Sequence, residues 1–202
     1  MEITTEMIKE LRAATNAGVL DCRKALTESN GDFNKAVDWL REKGMATAAK
    51  RADRAALQGM VELYSHGNGR VGVMVEVNCE TDFVARSEQF RTFAHEIALQ
   101  IAASSPHYVR EDEIPADVLE HEIEIGKARA REEGKPENML ERIALGRVEK
   151  FKDEVVLLRQ PYIRDEAITI EKLLAQNIGS IGENIIIRRF QRWELGESAN
   201  ED

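Results

Sequence analysis

Cysteine and long apolar runs are both scarce in this chain, and each scarcity removes a class of protein. Two cysteines, Cys22 and Cys79, stand far apart with no C-x-x-C between them, so neither a disulfide framework nor a thiolate zinc site has a basis; both read as buried thiols. The longest apolar runs, such as residues 155–158, are far too short to cross a bilayer. The opening Met1-Glu2-Ile3-Thr4 lacks the basic and apolar regions of a secretory signal, so the expected location is the cytosol, with no membrane association. Basic residues are outnumbered, 28 Lys plus Arg against 37 Asp plus Glu, and a net charge of −9 argues against direct nucleic-acid binding. The small basic groups Lys50, Arg51, Arg54 and Arg188, Arg189, Arg192 are short and read as solvated faces.

Charged residues, at 32% of 202, are plentiful and suit solvated helices. Three short helices precede residue 45. The first starts at Thr4 as N-cap, with Ile3 and Ile8 placed as a hydrophobic staple, and Asn16-Ala17-Gly18 breaks it. Val19, Cys22, Ala25 and Leu26 mark a second, closed by Asn30-Gly31; Asp32 caps a third that Gly44 is expected to stop. The alanine-rich and basic stretch 45–58 reads as a connecting helix with a domain boundary near 53. The period then changes. Val61, Leu63, Val71, Val73, Val75 and Val77 fall on alternate positions, a hairpin around Asn68-Gly69. A three-residue loop, 67–69, would set Val61 against Val75 and Leu63 against Val73, and so gather the apolar side chains on one face; that register is the expectation.

From Ser87 a helix carries Phe90, Phe93, Ala94, Ile97, Ala98 and Ile101 on one stripe, suited to covering the hairpin. Pro115 and Pro136 open two charged helices, Thr169 caps another that Gly179 should end, and residues 184–193 form a last strand that can join the hairpin. The expected architecture is α+β: a three-helix bundle over 1–44, the connecting helix 45–58, a core of a small three-stranded antiparallel sheet and helices over 59–195 with a helical insertion at about 115–160, and a polar tail over 196–202.

Catalytic and cofactor motifs fail on context. Gly67 to Gly72 matches G-x-G-x-x-G, but a strand follows it where a dinucleotide site requires a helix. His95-Glu96 and His121-Glu122 begin the zinc-helix motif, yet Leu99 and Ile125 occupy the second ligand position. A hydrolase pairing of Cys79 with His95 finds no nucleophile elbow or oxyanion-forming glycine turn around either cysteine. No catalytic residue, metal or cofactor is assigned.

What remains is Thr81-Asp82-Phe83-Val84 at the strand-to-helix junction. Residue chemistry leaves two readings open: Asp82 caps a turn while Phe83 enters the core, or the loop presents an acid and a rigid ring to a partner. The runs "TNAGVLDCRKAL" with "NGDFNKAVDWLREKG", "EVNCETDFVARSEQF" and "NIGSIGENIIIRRF" stand in order along the chain. They resemble bacterial elongation factor Ts, in a short form with a single core unit. The resemblance implies an N-terminal domain similar to ubiquitin-associated domains, and a guanine-nucleotide exchange factor acting on elongation factor Tu. It also implies contact of Gly18, Val19, Leu20 and Asp21 with the partner's G domain, and a homodimer whose second subunit supplies the core half found in longer relatives. Thr81, Asp82, Phe83 and Val84 would disturb the partner's magnesium and phosphate site, Phe83 wedging between helices while Asp82 approaches the metal. A non-catalytic helical adaptor is the alternative.

Overall fold

A computed structural model of the chain describes residues 3–15 and 17–197. Among them are eight α-helices, a three-stranded sheet and a two-stranded one, an α+β architecture divided into two compact units. The first unit comprises Met1–Tyr64, Met74–Ala98 and Glu171–Gln191; the second comprises Ser65–Val73, Leu99–Ile170 and Arg192–Asp202. The end of the expected polar tail, 198–202, and the helix-breaking Asn16 lie outside the described residues.

In the first unit α1 (Thr5–Thr15), α2 (Val19–Glu28) and the start of α3 (Phe33–Arg51) enclose Leu11, Cys22, Ala25, Leu26 and Ala36, with Ile3 and Ile8 packed against them. The ends follow local chemistry. Thr4 Oγ1 accepts from Met7 N at 3.3 Å, Asp32 Oδ1 accepts from Lys35 N at 3.1 Å, and Asn30 and Gly31 take left-handed φ of 51° and 81° to turn α2 into α3.

Gly44 does not stop the third helix, and no separate connecting helix follows: α3 runs without interruption to Arg51 and irregular chain fills 52–57. The glycine has a packing reason instead. A β-carbon on it would lie 3.3 Å from Ala175 O of α8 (Ile170–Ile181), and one on Gly179 would lie 3.1 Å from Gly44 Cα. Gly179 is likewise no terminator; α8 continues to Ile181 and ends at Gly182, whose φ is 88°.

The main sheet has the order β1-β2-β5, from β1 (Gln58–His66), β2 (Val71–Cys79) and β5 (Ile185–Glu194). Its hairpin departs from the expected register. The turn takes four residues, 67–70, closed by Arg70 N donating to His66 O at 3.0 Å, with Gly67, Asn68 and Gly69 all at positive φ. An even-numbered turn puts residues of opposite parity on one face. Accordingly Val71, Val73, Val75 and Val77 are buried, whereas Val61 and Leu63 are 53% and 71% exposed. Glu62 and Tyr64 face the helix α5 (Glu88–Ser104) in their place: Glu62 Oε1 lies 2.8 Å from His95 Nδ1, and the Tyr64 ring meets the His95 ring edge-on at 5.6 Å. The gathering of apolar side chains expected from a three-residue loop is overridden by the left-handed Gly-Asn-Gly run.

The second unit contains α6 (Ala116–Glu132) and α7 (Glu137–Val155), introduced by Pro115 and Pro136 at their N-caps and joined through Gly134 at φ 72°. A short antiparallel pair, β3 (Pro161–Tyr162) and β4 (Asp165–Thr169), was not expected from the sequence. Two buried amides organise this region. Gln100 Nε2 donates to Gln160 Oε1 at 3.2 Å and to Pro161 O at 3.1 Å, and its Oε1 accepts from Ile163 N at 2.9 Å; Gln160 Nε2 donates to Glu154 O at 2.7 Å. Burial without partners would be costly, so these amides fix β3 by satisfying otherwise unpaired chain.

Candidate functional site

The junction after β2 is built from its own end outward. Cys79, the last residue of the strand, is buried and its Sγ donates to Thr81 O at 3.2 Å. Burial pushes this thiol up to about 11, with the Glu183 carboxylate adding to the shift, so it stays protonated at neutral pH and is a poor nucleophile. His95, its imagined partner, is engaged by Glu62 and Tyr64. Among the described residues no group of three or more His, Cys, Asp or Glu side chains could hold a metal ion.

Chain direction changes at Thr81, whose extended backbone (φ −125°, ψ 155°) caps the four-residue helix α4 (Asp82–Ala85) by accepting from Val84 N at 3.4 Å. Thr81, not Asp82, is thus the capping residue. Asp82 pairs with Arg86 one turn on, Oδ2 to a guanidinium nitrogen at 2.9 Å, both side chains in solvent. Phe83 is 82% exposed. The alternative that placed its ring in the core is therefore excluded for this conformation, and a rigid apolar surface stands beside an acid at the tip of the junction.

A helix of four residues does not hold itself. Its base is gripped from the turn after α8, roughly a hundred residues away, a contact with no local signature in the sequence. Glu183 accepts from Glu80 N at 3.1 Å, from Thr81 N at 3.0 Å and from the Thr81 hydroxyl at 2.6 Å. In return Glu80 Oε1 accepts from Asn184 N at 2.7 Å and lies 3.5 Å from the Arg54 guanidinium. The buried Asn184 donates through Nδ2 to Arg54 O at 2.8 Å. Glu183, Glu80, Asn184 and Arg86 were all missed by sequence reasoning.

The other predicted surface, residues 18–21, starts α2. Gly18 is its N-cap, with extended backbone and no side-chain bond; Val19 and Leu20 are 51% and 78% exposed. Asp21 is ion-paired with Lys43 of α3, and Lys43 and Lys24 lie 5.4 Å and 5.7 Å from the Trp39 ring centre. Two apolar projections on well-braced bases, each with an acid beside it, are suited to protein recognition more than to chemistry on a small molecule.

Comparison with known proteins agrees with the motifs. The family model described as "Elongation factor TS" matches residues 2–197. The elongation factor Ts of Carboxydothermus hydrogenoformans is 56% identical over 195 residues, covering 96% of this chain and 90% of that protein. That of Caldanaerobacter subterraneus is also 56% identical, covering 96% and 98%. That of Geobacter metallireducens is 55% identical, covering 98% and 91%. Together with the α+β fold, these matches show that the chain belongs to the elongation factor Ts family of translation elongation factors.

Proposed function

We propose that the protein is a guanine-nucleotide exchange factor for elongation factor Tu, acting in the cytoplasm without chemistry of its own. The observation that carries this reading is Phe83: a bulky ring held 82% in solvent beside Asp82, on a junction too well braced to be loose chain. Leaving such a ring in water has a hydrophobic cost that docking would recover. Phe83 enters between helices of the partner's G domain, Asp82 approaches the magnesium and phosphate region, Thr81 and Val84 shape the tip, and Gly18, Val19, Leu20 and Asp21 hold the G domain at a second point.

A nucleotide bound at nanomolar affinity is held by about 12 kcal/mol, and magnesium tolerates little distortion of its octahedral shell. An intruding ring and acid act on both. Linkage then fixes the direction: a factor that binds the nucleotide-free partner better than the loaded one must lower nucleotide affinity by the same factor, so nucleotide and factor expel each other.

The exposed face of the sheet supports a homodimer as part of this reading. Val61, Leu63 and Met74 project from it at 53%, 71% and 47% exposure, and a second copy covering the same face would bury them symmetrically. Direct nucleic-acid binding has no place in it, given the charge of −9.

The deciding experiment loads elongation factor Tu with a fluorescent GDP, adds excess unlabelled GDP, and follows release with substoichiometric amounts of the protein. A many-fold faster release is expected. Release at the intrinsic rate would leave only the adaptor reading.

A further inference from the structure

We infer that Glu183 is a positioning residue for exchange, acting through Thr81 to aim Phe83; this rests on the exchange reading above. The argument is one of hydrogen-bond accounting. A threonine hydroxyl has one proton. With that proton committed to Glu183 Oε1 at 2.6 Å, the lone pairs of Thr81 Oγ1 are left for Val84 N, the bond that starts α4. Glu183 also holds the two preceding amides, Glu80 N and Thr81 N, through its other oxygen. Three bonds from one carboxylate therefore set both the path of the chain into α4 and the rotamer of its cap.

The grip is anchored at its far end. Asn184, adjacent to Glu183, is 3% exposed and is fixed by its amide bond to Arg54 O and by donating its backbone N–H to Glu80. A four-residue helix offers only a single turn of internal bonding, so loss of this grip would loosen the base from which the Phe83 ring projects. Bonds to a carboxylate are the strong kind, which makes one residue sufficient for the task.

The test compares full-length wild type with Glu183→Ala, Glu183→Gln, Thr81→Val, Phe83→Ala and the double variant Phe83→Ala/Glu183→Ala. It measures fluorescent-GDP release from elongation factor Tu across factor concentrations and, separately, amide hydrogen exchange of the free protein. Glu183→Ala is expected to lower the exchange rate at saturating factor about tenfold, with Glu183→Gln recovering part of it because its amide oxygen can still accept from the hydroxyl. Thr81→Val, which keeps the backbone amides, should reproduce most of the loss and stands in for Glu183→Ala if that variant does not fold. The double variant should be no slower than Phe83→Ala alone. In the free protein the Thr81 and Val84 amides should lose protection in Glu183→Ala while those of α5 keep theirs. Wild-type rates in Glu183→Ala and Thr81→Val, or losses that multiply in the double variant, would overturn the inference. Wild type that fails to release GDP would instead sink the exchange reading, and unchanged Thr81 and Val84 protection would then still refute the positioning.

Discussion

A β-carbon added to Gly126 would stand 3.0 Å from the Cα and 3.1 Å from the Cβ of Ala144, so α6 and α7 meet with no room for a side chain between them. Gly126→Val is expected to push the helices apart and lower stability by about 1–3 kcal/mol. Gly146, on the exposed side of α7, has nothing within 4 Å of such a carbon; Gly146→Ala should raise stability by about 0.5–1 kcal/mol through helix propensity alone. Urea unfolding of the two variants checks both signs.

Phe83→Ala should separate function from folding. A ring 82% in solvent contributes little to the native state, so the melting temperature should stay within the small range of surface substitutions. If the ring is an anchoring contact, GDP release from elongation factor Tu should fall roughly 30-fold, the size of an interface hot spot.

Leu63→Glu tests the sheet face as a dimer surface. Because Leu63 is 71% exposed, the substitution leaves the interior untouched, yet it would place a carboxylate in the centre of an apolar contact. Light scattering should show wild type at twice the monomer mass and the variant at the monomer mass at the same concentration.

In the second unit, Arg159 joins Glu111, Glu149 and Asp153 at 2.7, 2.9 and 2.8 Å, and Lys152 also contacts Glu111 and Glu149. Hydrogen bonds from Lys152 and then Arg159 hold the Glu111 and Glu149 carboxyls below their ordinary value. A carboxyl lowered by folding stabilises the native state above its unfolded pKa, near 4.3, and that contribution disappears as pH falls through the lowered native value. Arg159→Met should cost about 1 kcal/mol at pH 7, the upper end for exposed pairs, and less in high salt. The gap between variant and wild type should narrow as pH drops below about 4, which urea titrations at several pH values would follow.

Much of this fold was legible wherever cause and effect are neighbours in the chain. Thr4 and Asp32 cap the helices expected of them, and Asn30-Gly31 turns where a left-handed pair should. Reading failed where a residue answers to something distant. Gly44 and Gly179 look like terminators because helix-stopping glycines and glycines at helix crossings are indistinguishable in sequence; their reason is the close crossing of α3 and α8, Gly44 against Ala175 and Gly179 against Gly44. Val61 and Leu63 are expected on the face of Val73 and Val75 because apolar alternation marks which residues of one strand share a face, whereas the length of the turn decides which face of the neighbouring strand they join. At the candidate site the resemblance located residues 81–84, but the open or buried fate of Phe83 and the grip of Glu183 depended on tertiary placement.

The unbroken course of α3 from Phe33 to Arg51 removes the helix break that the sequence suggested at Gly44. On the exchange reading, the surface at Val19 and Leu20 and the ring at Phe83, both in the first unit, would be presented to the partner together. Docking at one point would then bring the other near its target. Part of the orientational entropy of such a two-point grip would already be lost when the chain folds, which would leave more of the contact energy to oppose the nucleotide.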